Sequence, residues 1–244
     1  MNPENIWSTP VQHLSLEPQE VHVFAVDLEE FLSEADDLRA LLSKEELQRA
    51  ERFVSSVLSD HYIVSHAILR KILAQYLKLE PQAINIVTHA QGKPGLMNKE
   101  LEFNMSHTRG VALYAISLNP VGIDIELLGR DVAVEEIAER FFARSEYEAL
   151  VALPEAQRQK AFYQCWTLKE AFIKALGEGL IYGLDRFEVD FGASTKCLKN
   201  AKDSLVSIEE WTLQPIIYSE STAAALAVRG KMSKLKQWQF SNPR

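Results

Sequence analysis

The sequence predicts an α+β fold made of two halves, in each of which helices cover one face of a small, mainly antiparallel sheet. Two observations carry this prediction. Runs of β-branched residues alternate with stretches in which apolar residues recur at helical spacing, and a turn signal at Asn119-Pro120 separates the first set of elements from the second. We therefore divide the chain into residues 1–119 and 120–244. No clear sequence repeat relates the two halves.

The first half begins with a polar segment, after which a β-branched run over residues 20–26 predicts a strand. Ser43 is followed by Glu46 at the capping-box position, so we expect a helix to begin near Lys44. Between residues 60 and 77, apolar residues recur at near-helical spacing and predict a long amphipathic helix. Three further strands are predicted at residues 83–88, 101–105 and 110–117.

The second half opens with a predicted strand at residues 121–126 and continues with helices. The helical stretches cover residues 134–142, a short segment from Ser145, and a long segment over residues 155–176. The glycines between Gly177 and Gly183 have the wrong spacing for a dinucleotide-binding loop, so we interpret them as a helix end followed by a turn. Strands are predicted near residues 187–191, 206–215 and 223–228.

The composition is that of an ordinary globular protein, with 47% hydrophobic and 25% charged residues. Its formal net charge of −8 argues against a nucleic-acid-binding protein, so any anionic ligand must be met by a local basic cluster. The two cysteines, Cys165 and Cys197, lack CxxC spacing, which favours a reducing compartment and buried thiols. The N-terminus lacks a basic segment followed by an apolar run, so we expect a cytoplasmic protein.

Two carboxylates at alternate positions of the strand at residues 121–126 form the first candidate site. Alternate side chains of a strand share a face, so Asp124 and Glu126 are expected to point the same way, while Ile123 and Ile125 point into the core. Like charges at this spacing repel unless a positive charge lies between them, and hard carboxylate oxygens suit Mg²⁺. A strand with one solvated face would show the same D-x-E pattern, and the pattern alone favours that simpler interpretation.

An acid and a base one turn apart on the long helix form the second candidate. As an ordinary surface pair, Glu170 and Lys174 would contribute only about 0.2–0.5 kcal/mol. Trp166 precedes Glu170 by one turn and Lys169 adjoins it, so bulky and basic residues are expected to bracket this polar face. This neighbourhood shifts the balance toward a functional pair without deciding it.

Several other polar residues could contact a phosphate. Ser106 and His107 are adjacent, and adjacent side chains seldom converge; because no G-x-S-x-G motif is present, a serine hydrolase is disfavoured. His107 is then either a structural residue or a hydrogen-bond donor to a phosphate. Lys93 is either an exposed loop lysine or a phosphate contact. The arginines of the N-terminal helices are interpreted as surface charges unless the fold brings them together: Arg49, Arg52 and Arg70.

Four motifs follow one another along the chain: FNMSH at 103–107, GIDIE at 122–126, RFFARSEY at 140–147 and WTLKEAFIKALGEGL at 166–180. With them, nearly the whole sequence resembles the 4′-phosphopantetheinyl transferases of the Sfp type, particularly those of cyanobacterial length and style. The resemblance implies a pseudodimer of two similar α/β halves with coenzyme A in the cleft between them. It also implies transfer of the phosphopantetheine arm of coenzyme A to a serine of an apo acyl or peptidyl carrier protein, with release of adenosine 3′,5′-bisphosphate.

The resemblance also assigns roles to individual residues. Asp124, Glu126 and Glu170 would hold Mg²⁺ on the coenzyme A pyrophosphate, and Glu170 would help to deprotonate the carrier serine. Lys174 would stabilise or protonate the leaving phosphate, and His107 with Lys93 would hold phosphate oxygens. The implied catalytic residues are Glu170, Lys174 and His107, and the implied coenzyme A contacts are Arg49, His61, Lys93, Ser106, His107 and Lys174.

The sequence departs from the family pattern where the 3′-phosphate of coenzyme A is expected. Glu46 lies near Arg49, and both His61 and His66 occupy positions where arginine is common. We expect a monomer. Two other functions stay open: a relative that binds coenzyme A or a carrier without turnover, and a different metal-dependent phosphotransfer or phosphate-hydrolysing enzyme. The presence of all four residues that the resemblance assigns to the metal ion and the leaving phosphate argues against a relative without turnover: Asp124, Glu126, Glu170 and Lys174.

Overall fold

The computed structural model describes residues 7–9, 14–89, 91–202 and 206–241. The N-terminal residues on which the cytoplasmic expectation partly rests, 1–6, lie outside these ranges. Among the described residues, no helix combines the length and the apolar character needed to cross a membrane. Both cysteines are buried and unpaired, as expected.

The first half contains three helices and five strands within the described residues. Their bounds are β1 Glu20–Asp27, α1 Ala35–Leu38, α2 Lys44–Ala50, α3 Ser56–Leu77, β2 Ile86–Thr88, β3 Pro94–Leu96, β4 Glu102–Thr108 and β5 Val111–Ser117. Short 3-10 turns at Leu28–Glu34, Arg39–Leu41 and Pro81–Ala83 connect them.

The second half contains three helices and six strands within the described residues. Their bounds are β6 Val121–Leu127, α4 Val134–Phe141, α5 Arg144–Val151, α6 Glu155–Leu176, β7 Phe187–Val189, β8 Leu198–Ala201, β9 Trp211–Ile216, β10 Thr222–Arg229 and β11 Lys234–Gln239.

The strongest sequence signals are confirmed. Helix α6 has both predicted ends and stops at Gly177, whose φ of 80° lies in the left-handed region that glycine adopts at low cost. Helix α2 begins at Lys44, and both hydrogen bonds of the Ser43–Glu46 capping box are present. Helix α3 begins four residues earlier than predicted, at Ser56.

Several predicted strand boundaries are wrong. Strand β2 begins at Ile86 rather than at residue 83, because Pro81–Ala83 forms a 3-10 turn. Strand β4 continues to Thr108, so the Ser106-His107 pair lies inside the strand rather than after it. The predicted strands at 187–191 and 206–215 become β7 and β9, which are shorter. Three strands were not predicted: β3, β8 and β11.

The strands form two main sheets that are mostly antiparallel, which confirms the predicted fold class. One sheet has the order β11-β1-β5-β4 and the other β6-β10-β9, while β2-β3 and β7-β8 form separate pairs. Only β11 runs parallel to its neighbour, β1, among these pairings. The last strand of the chain therefore completes the sheet of the first half.

The two sheets pack against each other between two helical layers. Phe24 and Tyr114, on one face of the first sheet, belong to a core that includes α3. The opposite face of this sheet meets the β6-β10-β9 sheet in a second core, to which Val23 and Ile123 contribute. A third core, which includes Phe172, fills the space between α6 and the far face of the second sheet. Each sheet is thus covered on both faces.

Helix α6 lies in close contact with strand β6 at Gly122. A Cβ at this position would approach the backbone atoms Ala171 O and Ala175 N well inside the 3.0 Å limit of real Cβ contacts. Neither backbone atom can move without shifting the helix. Glycine at position 122 therefore sets the separation between the helix and the strand that carry the candidate carboxylates.

Lys169 is not on the polar face that the sequence suggested. Its side chain is fully buried, and its Nζ lies 2.8 Å from Glu146 Oε2 and donates to the carbonyls of Leu184 and Phe187 at 2.8 and 2.7 Å. This ion pair joins α5 and α6 to the segment that leads into β7. Lys169 therefore has a structural role, and the polar face of α6 is bracketed on one side only.

Arg70 is likewise not a surface charge. It is 2% exposed, pairs with Glu46 at 2.8 Å and donates to the carbonyls of Pro81 and Ile84, each at 3.0 Å. The same Glu46 side chain accepts from the Ser43 N–H in the capping box. Arg70 thus anchors α3 to α2 and to the turn before β2.

We expect Gly122→Ala to destabilise the protein by about 3 kcal/mol, because an added methyl group must push two backbones apart. Urea denaturation of the two proteins measures this difference. Gly192→Ala is the matched control, since a Cβ there would meet Asp190 Oδ1 at 3.5 Å, an ordinary contact. Equal stability losses in the two variants would contradict the proposed close packing.

Candidate active site

A buried carboxylate, a lysine and a serine meet where β4, β6 and α6 approach one another. Asp124 on β6 is 4% exposed. Its Oδ1 lies 2.7 Å from Lys174 Nζ on α6 and accepts a hydrogen bond of 2.8 Å from Ser106 Oγ on β4. Lys174 Nζ also donates to Ser106 Oγ at 3.1 Å. Side chains from both halves of the chain therefore share one small polar cluster.

The second oxygen of this carboxylate has no partner among the described residues. Within the part of the chain that the structure describes, Asp124 Oδ2 is buried and has no hydrogen-bond partner. A buried unsatisfied carboxylate oxygen is costly, because it has lost its hydration without replacement. Such an atom in a native site points to a ligand that supplies positive charge.

Glu126, two residues further along β6, shares the face of Asp124 as predicted. Its side chain is 24% exposed and its Oε2 lies 3.1 Å from Nη1 of Arg130. Burial raises the pKa of Glu126 and the nearby Asp124 charge raises it further, whereas Arg130 and Lys174 lower it. The D-x-E pair is thus part of an interacting charge cluster and not a freely solvated strand face.

Glu170 completes this cluster from helix α6. It is half-buried, and burial, followed by repulsion from Asp124, raises the pKa of Glu170 to about 7. Lys174 opposes this shift, and Glu126 adds to it. A carboxyl group with this pKa can exchange a proton near neutral pH. The three carboxylates predicted from the sequence therefore interact in the fold, and together they favour an added cation.

The chemistry of these donors fits a hard divalent cation. Carboxylate oxygens are the ligands that Mg²⁺ prefers, and it commonly uses only one or two of them besides water and phosphate oxygens. The open Asp124 Oδ2 offers one such donor. As they stand, no three Asp, Glu, His or Cys side chains in the described ranges are gathered closely enough to ligate a metal ion. The donor atoms are thus of the kind that Mg²⁺ prefers, but the carboxylate side chains are too far apart in this conformation to bind one ion together.

Ser106 and His107 point to opposite faces of β4, as successive strand residues do. Ser106 is buried against Asp124, whereas His107 is exposed. Partial loss of hydration lowers the pKa of His107, and repulsion from Lys174 and then from His61 lowers it further. These residues do not form a nucleophile and base pair. His107 is close enough to interact electrostatically with Lys174 on α6 and with His61 on α3.

Lys93 lies at the joint between the ends of α6 and β6. Its Nζ donates to Val121 O at 3.0 Å and to Ala175 O at 3.4 Å, and burial lowers the pKa of Lys93. It is therefore not a freely exposed loop lysine. Two of its three N–H groups contact backbone carbonyls, which leaves one for another acceptor.

The predicted contacts on helices α2 and α3 form a separate group. His61 Nε2 lies 2.9 Å from Glu29 Oε1. His66 stacks on the ring of Tyr62 at 3.8 Å, and burial lowers the pKa of His66 to about 4, so it is neutral at pH 7. Arg49 is exposed, with its guanidinium 5.7 Å from the same ring. Neither histidine therefore reproduces the permanent charge of an arginine.

Three residues near the cluster were missed in the sequence. Arg130 bridges Glu126 and Thr108, and Asn104 Oδ1 accepts from Ile123 N at 2.8 Å, which ties the edge of β4 to β6. No local pattern identifies the contacts of Arg130 with Thr108 and of Asn104 with Ile123, because these partners are distant in sequence. Glu126 and Arg130 are only four positions apart. The third residue, Gly122, belongs to the GIDIE motif, but the motif does not reveal its close contact with α6.

The raised pKa of Glu170 predicts a pH-dependent stability. In the unfolded chain this carboxyl group ionises near 4.5, whereas in the folded protein its pKa is about 7. Between these values the folded state holds the extra proton, so stability falls as pH rises through the interval and changes no further above it. We therefore expect Glu170→Gln to be more stable than the native protein above pH 7, with a difference that shrinks as pH falls toward 4.5.

Urea denaturation of the two proteins across this pH range, in the presence of a metal chelator, measures the difference. Comparing the two proteins at each pH removes the contributions of groups that both contain. A difference that does not change with pH would contradict the assignment of the raised pKa to Glu170.

Comparison with known proteins agrees with this geometry. A family model described as the 4′-phosphopantetheinyl transferase superfamily matches residues 120–227, and one described as 4′-phosphopantetheinyl transferase, N-terminal, matches residues 31–118. The carboxylate-bearing elements β6 and α6 both lie in the first of these matches.

Individual relatives support the same family. The chain is 34% identical over 242 residues to the 4′-phosphopantetheinyl transferase HetI of Nostoc sp., covering 97% of this chain and 99% of that protein. It is 29% identical to the 4′-phosphopantetheinyl transferase Sfp of Bacillus subtilis, covering 68% of this chain and 75% of that protein. A mouse protein, L-aminoadipate-semialdehyde dehydrogenase-phosphopantetheinyl transferase, is 29% identical over 81% of this chain and 71% of its own length. The chain therefore belongs to the 4′-phosphopantetheinyl transferase superfamily and is a phosphopantetheinyl transferase.

Proposed function

We propose that this protein transfers the phosphopantetheine arm of coenzyme A to a serine hydroxyl of an apo acyl or peptidyl carrier protein, and that the reaction depends on Mg²⁺. The observation that carries the proposal is the cluster of Asp124, Lys174 and Ser106 beside Glu170. It combines an open carboxylate oxygen, a lysine and a carboxyl group with a pKa near neutrality at the junction of the two sheets.

In the proposed reaction the serine oxygen attacks the phosphorus that carries the pantetheine arm. The bond between that phosphorus and the bridging pyrophosphate oxygen breaks, and adenosine 3′,5′-bisphosphate leaves with the bridging oxygen. The serine proton passes to Glu170, directly or through a water molecule. Phosphoryl transfer needs positioning and charge neutralisation more than covalent help from the protein, and a cluster of this kind supplies both.

Asp124, Glu126 and Glu170 would hold the metal ion. When bound, Mg²⁺ would neutralise charge on the pyrophosphate and so favour departure of adenosine 3′,5′-bisphosphate. The repulsion among the carboxylates, which raises the pKa of Glu170 and of Glu126, supports this assignment because a cation would relieve it.

Glu170 is the proposed general base. In the metal-free protein the pKa of Glu170 is about 7, and a bound cation would lower it and so keep this residue as the carboxylate that a base must be. Lys174, one turn later on the same helix, would place its positive charge against the leaving phosphate. Its present contacts with Asp124 and Ser106 keep it at the junction of β4 and β6.

Phosphate oxygens of coenzyme A would be held by Ser106, His107 and Lys93, with Arg49 and His61 nearer to the adenosine end. The lowered pKa of His107 means that it acts as a neutral hydrogen-bond donor rather than as a cation at pH 7. Local positive charge at Lys174 and Lys93 would allow an acidic chain to bind a polyanionic substrate.

The proposed binding place is the cleft between the halves divided at Asn119-Pro120. Side chains from both halves already meet there, since Ser106 precedes this division and Asp124 follows it. The monomeric state and the cytoplasmic location stay predictions.

We expect a purified apo carrier protein to gain the mass of one phosphopantetheine when it is incubated with this protein, coenzyme A and Mg²⁺. A panel containing a fatty-acid carrier and a peptide- or polyketide-synthase carrier tests the substrate class by mass spectrometry. Asp124→Ala should slow the transfer by about 100-fold or more, because it removes a ligand of the metal ion that would stabilise charge on the reacting phosphate. Asp131→Ala, at an exposed position shortly after β6, is the matched control.

No mass gain on any carrier in the panel would refute the proposed reaction. Cleavage of coenzyme A without a carrier would instead favour a phosphate-hydrolysing enzyme. Full transfer by Asp124→Ala would remove Asp124 from the proposed metal site.

The proposed division of roles on α6 predicts different effects for its two charged residues. Lys174→Ala should lower turnover strongly while metal binding is largely kept, because lysine faces the leaving phosphate and is not a ligand. Glu170→Gln should weaken both, because it removes a ligand and the base. Turnover and a Mn²⁺ titration of each variant measure the two effects. Loss of metal binding in Lys174→Ala, with binding retained in Glu170→Gln, would reverse the assignment.

A further inference from the structure

Arg130 contacts both strands that form the junction of the two sheets. It lies in the loop after β6, with Nη1 3.1 Å from Glu126 Oε2 and Nη2 donating to Thr108 Oγ1 on β4 at 2.6 Å. The guanidinium therefore spans from one half of the chain to the other. None of the roles proposed above uses this residue.

The backbone of the loop is held in place by helix α6. Gln159 Oε1 accepts from Gly129 N at 3.1 Å, and Gln159 Nε2 donates to Arg130 O at 3.0 Å. Gly129 has a φ of 82°, which glycine adopts without strain. The position of the Arg130 backbone is thus fixed relative to α6, whereas its long side chain is 36% exposed and has several rotatable bonds.

Two positively charged side chains lie among the three carboxylates of the candidate site, each paired with a different carboxylate. Lys174 pairs with Asp124 and Arg130 pairs with Glu126. The proposed function assigns both carboxylates to the metal ion. The pair at Asp124 leaves Oδ2 without a hydrogen-bond partner among the described residues, whereas the pair at Glu126 places a guanidinium on Oε2. A divalent cation that uses Glu126 must therefore share or replace the contact with Arg130.

We propose that Arg130 is a positioning residue that holds Glu126 in the metal-free protein and competes with the divalent cation for its carboxylate. This inference rests on the proposed function, in which Glu126 is a metal ligand. While no cation is bound, the guanidinium offsets part of the repulsion between Glu126 and Asp124. When the cation binds, the side chain turns away while Gln159 keeps the loop backbone in place.

Titration with Mn²⁺, monitored by the electron paramagnetic resonance signal of the free ion, tests this competition without coenzyme A or a carrier. We expect Arg130→Gln to bind Mn²⁺ about two- to fivefold more tightly than the native protein, which corresponds to the loss of one partly exposed ion pair. Arg144→Gln is the matched control, because it removes the same charge from another i,i+4 pair, with Glu148 at 2.7 Å. We expect its affinity to equal that of the native protein.

Arg130→Lys distinguishes direct competition from a general effect of charge. It keeps the charge but loses the planar group that reaches Glu126 and Thr108 together, so tighter binding in this variant also supports direct competition. Urea denaturation of each variant establishes that it is folded. Equal or weaker Mn²⁺ binding by Arg130→Gln would overturn the inference while leaving the metal site intact. Absence of Mn²⁺ binding by the native protein would overturn the metal assignment and this inference with it.

Discussion

The contact between helix α6 and strand β6 at Gly122 is the constraint on which the candidate site depends. Because position 122 has no side chain, the backbone of α6 at Ala171 and Ala175 lies directly on the strand. This short separation brings Lys174 within hydrogen-bonding distance of Asp124, the residue two positions after the glycine. A larger residue would lift the helix and separate the two acids of the strand from Glu170 and Lys174 on the helix.

The same helix uses two lysines in opposite ways. Lys169 is sealed in the core, where Glu146 and two backbone carbonyls satisfy its ammonium group. Lys174 is 28% exposed and shares its contacts with Asp124 and Ser106. Buried ion pairs hold a structure rigidly only when every partner is satisfied, whereas a partly exposed pair can exchange partners at low cost. The difference in burial, and not in chemistry, separates the structural role of Lys169 from the role proposed for Lys174.

Charge is distributed unevenly along the proposed binding cleft of this phosphopantetheinyl transferase. The end formed by β4, β6 and α6 carries interacting carboxylates and two lysines. The end formed by α2 and α3 carries fewer fixed charges, because His66 is neutral and His61 is already paired with Glu29. In the proposed function, recognition of coenzyme A at that end would depend on Arg49 and on hydrogen bonds more than on a cluster of arginines.

The sequence by itself determined the features that arise from neighbouring residues. The capping box of α2, both ends of α6 and the shared face of Asp124 and Glu126 follow from spacing over a few positions. The order of the motifs determined the family. These signals are strong because helix caps, helical periodicity and strand alternation are local properties of the chain.

Only the tertiary structure decided which distant residues meet. It placed β11 beside β1, turned Lys169 into the core, and brought Ser106 to Asp124 and Thr108 to Arg130. Helix α6 is buried on more than one side, so its pattern of apolar residues did not reveal which lysine faces the strand. Pairings between residues far apart in sequence depend on how whole layers pack, and that information is spread over the entire chain.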